Sequence, residues 1–233
     1  MSTSSIKAVV IGATGPTGSR ILGEILKSKN FTQVTALGRR RATLLPEYGV
    51  DQEQEENSGR LIQEVVEFDK LDFESAKQYF EGAHAFFSAI GAKKASVDSE
   101  TYLKVHRDYA TKLAGFAHQC GVKHMLIVST QGASAGSMFT YMKLKGQADE
   151  QIAKLNFPCF SCFRPGMLDR GMKRGMMEKF AGAIMTSMHV KDVAKAMRII
   201  AENFAAESTD NPSKNVVNYY NNSSIWKLCS ESS

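Results

Sequence analysis

Short runs of core-type residues alternate with longer amphipathic stretches along the whole chain. "IKAVVIG" (6–12) is a β-branched run that reads as a strand, and "GSRILGEILKS" (18–28) spaces its apolar residues for one helix face. "QVTALG" (33–38), "LIQEVVEFD" (61–69), "AHAFFSAIG" (83–91), "VKHMLIVST" (122–130) and "CFSCFRPG" (159–166) continue the strand series. Helical spacing fills the gaps. "FESAKQYFEG" is one such stretch. A longer one sets Tyr102, Val105, Tyr109, Leu113 and Phe116 on a stripe, and another aligns Leu144, Ala148, Ile152 and Leu155. A helix from about Lys191, a late strand "KNVVNYY" and a short last helix capped by Asn222 or Ser223 complete the pattern. The polar, acidic "PEYGVDQEQEENSGR" (46–60) reads as an exposed, solvated insertion.

Strand–helix alternation with near-continuous apolar strands predicts an α/β fold. The expected form is a Rossmann-type doubly wound parallel sheet of about seven strands with helices on both faces. No linker, repeat or low-complexity run divides it, so one domain, 1–233, is expected. Within it, a small C-terminal substrate lobe would come mainly from about 165–190 and 205–233.

Charge and cysteines narrow the partners. The net charge of +5 is spread over small basic groups at loops, with no stripe interleaved with aromatics, so no nucleic-acid partner is expected. A phosphate-bearing small molecule fits that pattern better. No apolar run approaches the ~20 residues of a membrane span, and no secretory signal is expected at the start. Cys159 and Cys162 form C-x-x-C on a strand, where they face opposite sides of the sheet. No second pair or histidine completes a metal set, so core thiols in a reducing compartment are expected and no metal is. Six of the eleven methionines fall between Met167 and Met188, as an adaptable substrate lid, as core packing, or as a membrane-docking surface.

The turn after the first strand carries candidate chemistry. "VVIGATGPTGSRIL" places Gly12, Gly15 and Gly18, with Thr14, Pro16 and Thr17, between a strand and a helix N-terminus. Free N–H groups and the helix dipole there favour a dinucleotide pyrophosphate. The spacing is G-x-x-G-x-x-G. The end of the second strand normally distinguishes NAD from NADP, through a carboxylate or an arginine. Here the residues are Arg39, Arg40 and Arg41, and no carboxylate is present. NADP(H) is the expected cofactor. Asp69, ending the third strand, is a partner for the adenine amino group or a helix cap. Ala89 and Gly91 are small enough to pass under a cofactor.

"TYMKLKG" holds Tyr141 and Lys145 four apart, side by side on a helix, and no other tyrosine of the seven has a lysine at that spacing. A free phenol, with pKa ~10, is a weak proton exchanger at neutral pH, and a neighbouring ammonium lowers that value. The pair therefore suits proton transfer to a substrate oxygen beside a hydride donor.

Taken in order, these pieces resemble the short-chain dehydrogenase/reductase superfamily in its atypical branch. The chain is similar to the HIV Tat-interacting protein 2 oxidoreductase family, which has fungal mitochondrial relatives. The resemblance rests on "IGATGPTGSRIL", "VTALGRR", "VVEFDKLD", "VHRDYATKLAGFAHQCGVKHMLIVSTQGAS", "FTYMKLKGQADEQI", "FRPGML" and "HVKDVAKAM". It implies NADPH binding and a Ser–Tyr–Lys group carried by Ser129, Tyr141 and Lys145, with Ser129 and Thr130 holding the carbonyl oxygen. It also implies that the "FRPG" turn, with Arg164, Pro165 and Gly166, runs beside the nicotinamide. His106 stands where many members of the superfamily have asparagine.

The function expected is NADPH-dependent reduction of a small carbonyl or quinone-like substrate, with Tyr141 as acid/base. The alternatives are an NADPH-sensing regulatory protein acting on a protein partner with little or no turnover, and a flavin or quinone reductase with no strict need for Tyr141. A homodimer is a further expectation. So is a cytoplasmic location, with association with the mitochondrion or nuclear envelope as the alternative.

Overall fold

The computed structural model describes residues 5–169, 187–207 and 215–231. Residues 170–186, which hold most of the Met-rich segment, and with them about half of the expected substrate lobe, lie outside these residues. The main sheet contains β1 (Ile6–Ile11), β2 (Phe31–Gly38), β3 (Leu61–Val65), β4 (Ala85–Ser88), β5 (His124–Val128) and β6 (Cys159–Phe163). The two-residue strands β7 (Leu168–Asp169) and β8 (Met188–His189) pair only with each other, and β9 (Val216–Tyr220) is the seventh strand of the main sheet. The order is β3-β2-β1-β4-β5-β6-β9, every pairing parallel. The order reverses between β1 and β4. In such sheets a crevice opens there, beyond the carboxyl ends of the strands.

Helices cover both faces, as the apolar strands require. The helix α1 (Gly18–Lys27) shares one core with the late helices α7 (Val190–Glu207) and α8 (Asn222–Glu231), built from Ile21, Ile25, Val193, Met197 and Ile225. On the other face α3 (Phe73–Phe80), α5 (Tyr109–Gln119) and α6 (Thr140–Ala153) bury Phe80, Leu113 and Ile152 against Phe86, Met125 and Phe160. Cys159 and Cys162 are buried, free thiols.

Three local expectations are refined. The acidic stretch 46–60 is exposed as expected, with no buried residue, but part of it is helical. It holds the helix α2 (Gln52–Asn57), capped by Asp51, whose carboxylate accepts from the Gln54 N–H at 3.1 Å. Arg60 closes it by donating to the carbonyls of Leu26, Ser28 and Phe31 while pairing with Glu55 at 2.6 Å. Those carbonyls come from the end of α1 and the start of β2, so a local reading misses them. The long helix before β5 is unbroken but not α throughout: α4 (Ser99–Leu103) passes through a π-helical turn, Lys104–Asp108, into α5. The last helix is capped by Asn221, which accepts from the Ser224 N–H at 3.0 Å, rather than by Asn222 or Ser223.

Candidate active site and cofactor cleft

The glycine loop is shaped for close approach. Gly12 has φ +82°, and a Cβ there would lie 2.6 Å from the Ala89 carbonyl oxygen. A Cβ on Gly18 would lie 2.0 Å from the Gly12 oxygen, so only glycine lets α1 start so close to β1. The Gly15 N–H donates to the Gly12 carbonyl at 2.9 Å, closing the turn. Pro16 and Thr17 lead into α1, which no side chain caps; the Ser19 and Arg20 N–H groups donate back to the Gly15 and Thr17 carbonyls at 2.9 and 3.1 Å, and the positive end of the helix dipole faces the loop.

An open cleft of about 190 Å³ lies above this loop. Gly12, Thr14, Gly15, Arg39, Arg40, Ala89 and Gly91, all singled out from sequence, line it together with Gln63, Phe68 and Tyr109, which were not. Arg39 and Arg40 are exposed and have no ion pair among the described residues. The lining suits a dinucleotide, with the glycine loop at one end and two guanidinium groups at the other. Asp69 accepts from the Tyr109 hydroxyl at 2.8 Å and pairs with Lys104 at 3.5 Å, and the Tyr109 bond leads the interactions holding its carboxyl below the usual range. It caps no helix. Asp72 caps α3 instead.

Beyond Gly91, α6 presents Tyr141, Lys145 and Asp149 at successive turns. Lys145 is buried, with Nζ donating to the carbonyls of Val128 at 3.1 Å and Ile90 at 3.3 Å. Burial pushes its pKa down, and Asp149 works in the opposite direction. Tyr141 is 38% exposed and meets the His106 ring edge-on, 5.2 Å between centroids. His106 is buried. Its Nε2 lies 3.2 Å from the Ala92 nitrogen and 2.9 Å from the Ala92 oxygen, so either tautomer finds a partner there. A Cβ on Gly146 would fall 2.2 Å from the Ser134 backbone, so the loop after β5 lies directly across α6.

Two expected site residues are both engaged by Asp149. Ser129 does not offer its hydroxyl to the cleft: it is buried, and Oγ donates to Asp149 at 2.8 Å. Arg164 gives Nε and Nη2 to the same carboxylate oxygen at 3.0 and 2.9 Å, while stacking on Tyr219. Thr130, one residue on, is partly exposed. Pro165 and Gly166 are fixed by backbone, the Pro165 carbonyl accepting from the Gln131 N–H and the Gly166 N–H donating to Asn222. Asp149 was missed although it continues the Tyr141–Lys145 spacing by one more turn. Among the described residues no cluster of metal ligands occurs, and no helix is long and apolar enough to cross a membrane.

Comparisons with known proteins agree with this geometry. The family model described as NAD(P)H-binding matches residues 12–203. The chain is 34% identical over 183 residues to Protein HTATIP2 of Rattus norvegicus, covering 76% of this chain and 71% of the relative. It is 28% identical to Protein FMP52-1, mitochondrial, of Scheffersomyces stipitis, over 96% of this chain and 98% of the relative. Among solved structures, UDP-glucuronic acid 4-epimerase from Bacillus cereus in complex with NAD has a TM-score of 0.64 at 13% identity, covering 93% of this chain and 78% of that one. The oxidoreductase ylbE from Lactococcus lactis has a TM-score of 0.64 at 19% identity, covering 97% of each. Likeness at these identities reports the fold.

Proposed function

The chain belongs to the NAD(P)H-binding family, and from that premise we propose that it is an NADPH-dependent oxidoreductase that reduces a small carbonyl or quinone-like acceptor. The observation that carries this reading is Tyr141 standing one helical turn from the buried Lys145, where the cleft ends. The nicotinamide, when bound, supplies the hydride. Tyr141 supplies the proton, and the Lys145 ammonium favours its phenolate, bringing the phenol toward a useful pKa. The Ile90 and Val128 carbonyls fix where that ammonium sits. Thr130 is the hydroxyl left to hold the substrate oxygen, because Ser129 is committed to Asp149.

Arg39 and Arg40 supply the preference for NADPH. A charge-assisted bond to a 2′-phosphate is worth roughly 1.5–3 kcal/mol, about ten- to a hundredfold in affinity. Parallel fluorescence titrations with NADPH and NADH test this part. Tight NADPH and weak NADH support it, whereas equal affinities remove the phosphate site from Arg39 and Arg40.

One observation favours a second reading. With the Ser129 hydroxyl engaged, the protein holds one catalytic-type hydroxyl fewer than its motif suggests, which suits an NADPH-sensing regulator with little turnover. A protein partner would then be captured or released with NADPH, indifferent to Tyr141→Phe. The mitochondrial designation of the FMP52 relatives supports association with that organelle over a cytoplasmic location.

A further inference from the structure

Three arginines follow β2, and the structure treats them differently. Arg41 pairs with Glu56 at 2.5 Å, while Arg39 and Arg40 line the cleft. What separates them is the next residue. The Ala42 N–H donates to Gln63 Oε1 at 2.6 Å, and the Ala42 carbonyl accepts from Gln63 Nε2 at 3.1 Å and Gln52 Nε2 at 3.2 Å. The same two amide nitrogens each donate to Glu56 Oε1 at 2.8 Å, and Gln52 Oε1 accepts from the Leu44 N–H at 2.9 Å. The Gln52 and then the Gln63 bond are the leading causes holding the Glu56 carboxyl below its usual range. The peptide backbone after the arginines is therefore gripped from β3 and from α2, the helix inside the acidic stretch.

We propose that Gln63, Gln52 and Glu56 form a clamp that sets selectivity for the 2′-phosphate form of the cofactor. It pins Ala42 and draws Arg41 aside, so that Arg39 and Arg40 are presented together, already ordered, at the cleft. The proposal rests on the reading that Arg39 and Arg40 receive that phosphate. Gln63 acts as a positioning residue although it lines the cleft: both protons of its amide are already donated within the clamp. Gln52 does not line the cleft at all. A preordered loop binds more tightly because less freedom is lost on binding.

The test is a pair of neutral substitutions in the full chain, Gln63→Met and Gln52→Met, titrated with NADPH and with NADH and melted without cofactor. Each removes clamp bonds without changing charge. NADPH affinity should fall about three- to tenfold while NADH affinity changes less than about twofold, since loop ordering is lost only for the ligand that uses the arginines. Parallel loss of both cofactors, or an unchanged ratio, overturns the clamp, because a purely structural role weakens both alike. Should Gln63→Met fail to fold, Gln52→Met decides, since it acts on Ala42 and Leu44 from outside the cleft. The variant Arg39→Ala/Arg40→Ala separates the two readings. If it loses the NADPH preference and the clamp variants keep it, the clamp is wrong and the phosphate site stands. If it keeps the preference, the phosphate site is wrong and the clamp falls with it.

Discussion

Lowering the pH from 7 to 5 should destabilise this fold by about 4 kcal/mol through two histidines. His106 is 3% exposed; burial and the nearby Lys145 charge push its pKa down to about 4, against the Ala92 backbone. His124 is 1% exposed, with Nε2 2.9 Å from the Ser161 hydroxyl, and burial takes it down to about 3. Both are neutral in the native state at pH 5. In the unfolded chain an imidazole titrates near 6.5, so there both are charged. The unfolded state binds more protons, so stability is complete above about pH 6.5 and falls as the pH drops. Each histidine costs roughly 1.36 kcal/mol per pH unit below 6.5, or about 2 kcal/mol at pH 5. The His106 loss levels off near its native pKa of about 4, and the His124 loss continues to about 3.

That sum is a large share of the ~5–15 kcal/mol that holds a domain together. His84, exposed but also lowered, first by desolvation and then by the Lys7 charge, adds in the same direction, while Asp149, raised by burial, opposes. Urea unfolding followed by circular dichroism at pH 7, 6 and 5 measures the slope. His124→Gln keeps an amide for Ser161 and should remove about half of it. A flat unfolding free energy across this window, or a variant with the parent's slope, refutes the argument that these imidazoles are buried uncharged.

Three substitutions test the site. Tyr141→Phe should lower carbonyl turnover by about a hundredfold or more while sparing NADPH affinity, as removal of a general acid does; undiminished kcat would rule out the phenol as proton donor. Arg39→Ala should weaken NADPH by about tenfold or more and leave NADH nearly unchanged, read by fluorescence titration. Gly146→Ala places a methyl 2.2–2.4 Å from the Ser134 backbone, and the displaced loop should cost about 1–3 kcal/mol or more. A thermal melt showing no loss would mean that α6 and this loop part easily.

How much was legible depended on whether the cause of a feature is local in sequence. The parallel sheet follows from apolar runs between amphipathic ones, and Gly12 and Gly18 follow from a turn that cannot carry a Cβ. The π-helical turn at Lys104–Asp108 leaves the apolar stripe intact, with Tyr102, Val105 and Tyr109 still buried, so no periodicity argument could detect it. α2 is solvated as its composition implies, but its helicity escapes a local reading because the partners that hold it, Ala42 and Gln63, come from other elements.

Ser129 shows the same limit at the site itself. Its place at the end of β5 is readable, but the direction of its proton is decided by a carboxylate on α6, buried with an arginine that follows β6. Lys145, Asp149 and Arg164 together leave one net positive charge at the base of the site if all three are ionised. A buried carboxylate tolerates burial only with hydrogen bonds and opposite charge beside it; Ser129 and Arg164 supply these at Oδ2, while Oδ1 has no hydrogen-bond partner among the described residues. The serine then belongs with Asp149 and Arg164 beneath the site, and on the proposed reading the chemistry above it is left to Tyr141 and Thr130.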